Sequence, residues 1–277
     1  MALKNYIKRG IEYILYGVPT KYVTAKIAYT APHDMLYGKR IVITGGGRGL
    51  GLAMAKKFLS EGASVLIAGR NEDTLKLKAK ELKCEYLKLD VQDIDSFDSF
   101  IKKADSTLHG IDCLVNNAGI SLHENDFTSV TPESFDLQIN TNLKGSFFLA
   151  QKFIQLLTNN NRKGVLLFMS SETSHTADIR PYGLTKAAIN SLVKGLASMY
   201  SSKGIRINAV APGVTTSDMT GIKADSNLFF KSNTLERAYL PEEVAECACF
   251  LLSDVSGCIS GEIITCNNGK TINARWK

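Results

Sequence analysis

Lys39-Arg40-Ile41-Val42-Ile43-Thr44 runs straight into Gly45-Gly46-Gly47-Arg48-Gly49-Leu50-Gly51. The first six residues form a short β-rich run, and residues 49–61 then read as a helix. Glycines at such a junction let the backbone turn tightly and approach a pyrophosphate. The helix N-terminus behind them offers unpaired N–H groups and a positive dipole end to an anion. Glycines alone also mark ordinary turns, so the strand–glycine–helix context carries the reading.

The same alternation continues outward. Strand-like runs fall at 64–69, 84–89, 111–116, 165–169, 205–210 and 262–266. Between them lie helical stretches, including a long one from about 133 to 157 and another from about 181 to 201. Continuous apolar strands separated by helices imply a parallel sheet buried on both faces. Right-handed crossovers make that sheet doubly wound. Residues 214–240 have no strand and hold Gly221 and Phe229-Phe230, as expected of a lid over the strand ends.

The chain has 277 residues, 44% apolar and 22% charged, enough for one large α/β domain over 37–277. Lysine and arginine total 33 against 27 acids. No basic run with interleaved aromatics reads as a nucleic-acid surface. The six cysteines have no zinc-like spacing, so no metal is expected and a reducing, cytoplasmic setting is. No stretch approaches the roughly 20 apolar residues of a membrane span. Residues 1–36 stand apart as a helical, tyrosine-rich extension with five basic residues against two acidic. It reads as a protein contact rather than a signal peptide or membrane anchor.

Four motifs now share one chain: Thr44-Gly45-x-x-x-Gly49-x-Gly51, Asn116-Asn117-Ala118-Gly119, Tyr182-x-x-x-Lys186 and Pro212-Gly213. In this order the chain resembles the short-chain dehydrogenase/reductase family over about residues 38–270. The resemblance implies a Rossmann-type sheet of about seven strands in order 3-2-1-4-5-6-7. It also implies an oxidoreductase with a nicotinamide dinucleotide, and a homodimer or homotetramer built through the two long helices.

The end of the second strand bears on the cofactor. An acid there would repel a 2′-phosphate. This sequence has Gly69, then Arg70, with Arg48 inside the glycine motif. Guanidinium forks suit phosphate, and the family associates basic residues at these positions with NADP(H). The implied cofactor set is Thr44, Gly45, Gly47, Arg48, Gly49, Leu50, Gly51 and Arg70, then Asp90 and Val91 beside the adenine. Asn117, Ala118 and Gly119 follow, with Tyr182 and Lys186 at the ribose. Pro212, Gly213, Thr215 and Ser217 lie at the nicotinamide. Asp90 reads equally well as a strand-end cap.

Tyr182 and Lys186 lie four apart on one helix face, where an ammonium favours tyrosinate and lowers a phenol pKa of about 10. The family roles make Tyr182 the proton donor, Ser171 the group on the substrate oxygen, and Asn142 the holder of a water behind Lys186. The stretch from Ser171 to Tyr182 is shorter than the family pattern, so Ser170 competes with Ser171. The expected activity is NADP(H)-dependent hydride transfer to a ketone or 3-oxoacyl-type carbonyl. The alternative is a catalytically silent dinucleotide-binding or scaffold protein of the same fold, which the presence of tyrosine, lysine and serine disfavours.

Overall fold

Along the first strand, Ile41 and Ile43 face one side of the sheet and Val42 the other, and all three are fully buried. A strand buried on both faces needs helices on both, and the crossovers supply them. The computed structural model describes residues 34–272, together with Ile14 and Thr24. The extension read at 1–36 therefore lies outside the described residues, apart from those two positions and its last three. Of those three, Leu36 is fully buried and Met35 donates its N–H to the Glu61 carboxylate at 3.2 Å.

The strands are β1 (Arg40–Thr44), β2 (Ser64–Gly69), β3 (Glu85–Lys88), β4 (Cys113–Asn116), β5 (Gly164–Met169), β6 (Ile205–Pro212) and β7 (Ile263–Cys266). They form one seven-stranded sheet in the order β3-β2-β1-β4-β5-β6-β7, parallel throughout. This is the doubly wound Rossmann-type sheet expected from the sequence. On one face, α1 (Gly49–Ser60), α2 (Glu72–Leu82) and α7 (Pro241–Leu252) bury Met54, Phe58, Leu75, Val244 and Leu252 against Ile41, Ile43 and Val115. On the other, α3 (Phe97–Thr107), α5 (Gly145–Asn159) and α6 (Pro181–Tyr200) bury Phe97, Phe153, Ile189 and Val193 against Val42, Leu114 and Ile207.

One expected element differs. The helix read as continuous from 133 to 157 is α4 (Pro132–Gln138), a π-helical turn at Ile139–Lys144, and then α5. Wide turns of this kind shift the helix face by one residue and often sit at functional sites. Here the turn carries Asn142. Residues 214–240 contain no named strand. Isolated bridges, Thr215 with Tyr239 and Phe229 with Arg237, fold the segment back on itself.

Candidate active site

The sheet reverses its winding between β1 and β4, and ligands bind in the crevice beyond the strand ends at such a point. A cleft of about 630 Å³ opens there. Gly45, Gly47, Arg48, Gly49, Leu50 and Gly51 form its floor. The end of β2 contributes Arg70, and the end of β3 contributes Asp90 and Val91. Asn117, Ala118, Gly119, Tyr182, Lys186 and Ser217 complete the expected residues along it.

The floor fits an anionic dinucleotide. Helix α1 begins at Arg48 with no side-chain cap and no acid in its first turn, so its N–H groups and dipole remain available. A Cβ on Gly51 would lie 2.2 Å from the Gly45 carbonyl oxygen, so only glycine lets the helix sit this close to the loop. Thr141, in the π turn, lines the cleft with a buried hydroxyl that has no partner among the described residues. Such a group is costly unless something bonds it. Sequence reasoning passed over Thr141 and singled out only its neighbour Asn142. It also missed Ile120 and Ser121, which line the cleft together with Met219 of the 214–240 segment.

Several expected cofactor residues do not line the cleft. Thr44 is buried, and its hydroxyl accepts the N–H groups of Asn117 and Ala118, both at 3.0 Å. The Asn117 amide donates to the Thr44 carbonyl at 2.8 Å. Thr44 and Asn117 therefore tie the glycine loop to the end of β4. Pro212, Gly213 and Thr215 stand outside the lining too. The Thr215 hydroxyl donates to the Gly213 carbonyl at 2.9 Å, an internal loop contact. Asp90 acts as a strand-end cap, one carboxylate oxygen accepting the Gln92 N–H at 3.0 Å, and it also lines the cleft.

At the inner end, Lys186 is buried and its ammonium donates to the Met169 carbonyl at 2.7 Å. It stands 5.5 Å from the centre of the Tyr182 ring. Burial lowers its pKa to about 8. The phenol of Tyr182 moves the other way, and this corrects the expectation of a lowered value. Burial is the largest influence and pushes it up, while the facing Ser171 hydroxyl and the Arg180 charge pull it down. Desolvation penalises both charged forms, so in this pocket Tyr182 holds its proton and Lys186 releases its own more readily.

The two serines separate by partner. Ser170 lines the cleft, where Ser171 does not, but its hydroxyl is engaged by α6, donating to the Asn190 side-chain oxygen at 2.7 Å. Ser171 faces the Tyr182 hydroxyl. Asn142 is buried, accepting from Ile120 N–H and donating to Ile120 C=O, both at 2.8 Å. Its side chain thus braces the loop after β4 beside Lys186. His175 pairs with Thr265 at 3.1 Å, outside the cleft lining. Among the described residues no cluster of three or more His, Cys, Asp or Glu could hold a metal, and no helix is long and apolar enough to cross a membrane.

Comparison with known proteins agrees with this geometry. Residues 45–271 match the family model described as enoyl-(acyl carrier protein) reductase. The chain is 31% identical to 3beta-hydroxysteroid dehydrogenase 2 of Eggerthella lenta, over 86% of this chain and 96% of that one. It is 30% identical to the 3-oxoacyl-(acyl-carrier-protein) reductase FabG of Aquifex aeolicus, over 84% of this chain and 98% of that one. The structure of a 3-ketoacyl-(acyl-carrier-protein) reductase from Brucella melitensis, complexed with NADH, superposes with a TM-score of 0.80 at 29% identity. That match covers 86% of this chain and 100% of the other. With a family model spanning most of its length and such relatives covered nearly end to end, this chain is an oxidoreductase of the short-chain dehydrogenase/reductase family.

Proposed function

We propose that the chain is an NADP(H)-dependent reductase of a ketone or 3-oxoacyl-type carbonyl. The observation that carries this reading is Tyr182 facing Ser171, with Lys186 against its ring, in a cleft that Arg48 and Arg70 also line. A bound nicotinamide dinucleotide would supply the hydride. Ser171 holds the substrate oxygen at the phenol. Tyr182, protonated at neutral pH, gives its proton to that oxygen as negative charge develops there. Lys186 restores the proton and steadies the phenolate through its charge. Asn142 keeps the loop after β4 against this group.

The case for NADP(H) over NAD(H) rests on charge. A Cβ on Gly69 would meet nothing nearer than Leu75 at 3.8 Å, so space does not forbid an acid there. Its replacement by glycine, with arginine next, removes the repulsion a 2′-phosphate would meet. Arg48 pairs with Asp218 at 3.2 Å, but both side chains are exposed and such pairs are weak. A phosphate offers Arg48 a stronger partner. The names of the relatives, 3-oxoacyl reductases and hydroxysteroid dehydrogenases, support a carbonyl or secondary alcohol as the substrate group.

The test has two parts. Titration of the protein with NADPH and NADH should give about 10-fold or more tighter binding of NADPH; equal affinities would remove the NADP(H) reading. Ketones, quinones, 3-oxoacyl thioesters and keto-sugars, assayed by NADPH consumption, should yield a substrate class. On that substrate Tyr182→Phe should lower kcat by about 10²–10⁴ with dinucleotide binding intact. Full activity in Tyr182→Phe would refute the mechanism.

A further inference from the structure

Immediately after Ser171 comes Glu172, a carboxylate only 7% exposed. Its two oxygens reach different parts of the chain. One accepts from the Lys270 ammonium at 2.6 Å, and the other from the Asn267 amide at 3.1 Å. Lys270 also donates to the Asn233 side-chain oxygen at 3.2 Å. The Asn233 amide in turn donates to the carbonyls of Arg237 at 2.8 Å and Val214 at 3.3 Å. Asn233 and Asn267 are almost wholly buried. A hydrogen-bonded polar cluster therefore sits behind Ser171, joining the turn after β5, the 214–240 segment and the chain after β7.

The turn that begins at Ser171 is fastened at its far end as well. The Ser171 hydroxyl accepts the Thr173 N–H at 3.3 Å, and the Ser171 carbonyl accepts the Ser174 hydroxyl at 2.5 Å. Two residues beyond Thr173, His175 meets Thr265 on β7 at 3.1 Å. Gly213 lies in the middle of the cluster. A Cβ there would come within 2.8 Å of the Tyr239 ring, 3.0 Å of Asn267 and 3.2 Å of the Glu172 carboxylate.

We infer that Glu172 is a positioning residue. Its ion pair with Lys270, completed by Asn267 and Asn233, fixes the Ser171 turn to the chain after β7 and to the 214–240 segment. Placement of the serine thereby depends on both of those segments. This rests on the reading of Ser171 as the group that holds the substrate oxygen. Two arguments favour positioning over packing alone. Burying the Glu172 carboxylate costs desolvation that its pairing with the partly exposed Lys270 ammonium only offsets, so the pair confers little net stability over apolar residues of the same shape. They do confer direction, because each bond has one partner and one geometry. The residue so directed is one peptide bond from the hydroxyl that meets Tyr182, where an error of about 1 Å can cost on the order of 100-fold in rate.

The experiment compares Glu172→Gln, Lys270→Met and the double variant. In the full-length protein each single variant should lower kcat about 10-fold or more while the NADPH dissociation constant stays within about twofold. The double variant should be no worse than the poorer single one, because both act through one pair. Hydrogen exchange, which needs no substrate, should quicken at 171–176 and 233–240 and stay unchanged at 45–60. If exchange rises equally everywhere, Glu172 is only a stability residue and the inference fails. If exchange and kcat both stay at wild-type values, the inference fails outright. If no substrate is turned over even by the wild-type chain, the proposed function falls, and the exchange data still decide whether the clamp exists.

Discussion

Lys186 is the residue whose environment most constrains the chemistry. Among the described residues its ammonium has one acceptor, the Met169 carbonyl at 2.7 Å, and it otherwise lies in desolvated surroundings. Burial brings its pKa down to about 8, so the charge present at pH 7 is lost as pH rises through that value. The Tyr182 phenol is pushed up and stays protonated over the same range. For reduction, kcat/KM should therefore be level at neutral pH and fall above about pH 8, with Lys186 responsible. Profiles from pH 6 to 10 should show that limb, and Lys186→Arg, charged throughout, should lose it whatever its absolute rate. A wild-type profile level to pH 10 would contradict the assignment. The serines offer a second check at this scale: Ser171→Ala should lower kcat with little change in dinucleotide affinity. Ser170→Ala, which cuts a bond to Asn190, should show its loss mainly as thermal stability.

Among the elements, the loop after β6 carries contacts that its motif does not announce. Pro212-Gly213 matches a cofactor motif, and Gly213 also packs against Tyr239, Asn267 and Glu172, outside the cleft lining. Gly213→Ala would force a methyl into that junction, at a cost of about 1–3 kcal/mol from overpacking. Melting should register the loss while NADPH titration stays near wild type. Loss of binding with unchanged melting would return the motif to the cofactor. The strands and the β1–α1 junction were legible because apolar runs and glycine clusters are local signals. The π turn at Ile139–Lys144 was not, since Ile139 and Leu143 keep an apolar spacing that an α-helix also satisfies. The Glu172 cluster was illegible for another reason. Its partners lie 95 and 98 residues away in sequence. Only the order β5-β6-β7 brings the chain after β5 and the chain after β7 to the same end of the sheet.

For the molecule as a whole, the question is what covers its exposed apolar helix faces. Phe135 is 39% exposed on α4, Phe147 42% on α5 and Leu184 47% on α6. Helices α4 and α6 pack against each other, and α6 packs on the π turn from which α5 starts. The three residues therefore sit on neighbouring elements. Phe153 and Ala197, on the same long helices, are core residues, so the exposed seam is narrower than the helices that carry it. Three exposed apolar side chains on neighbouring elements suit a pairing surface. A two-fold pairing would bury it against its own copy, because a self-complementary patch needs no second surface. We expect sedimentation equilibrium at micromolar concentration to give a dimer or tetramer. Phe147→Glu combined with Leu184→Glu should shift it toward monomer, since each pairing would then bury like charges. Neither residue lines the cleft, so NADPH binding by the variant should persist. A wild-type monomer would leave the seam as ordinary surface. An unchanged assembly in the double variant would place the contact elsewhere, with the outer strand β7, half-buried at all four positions, as the next surface to test.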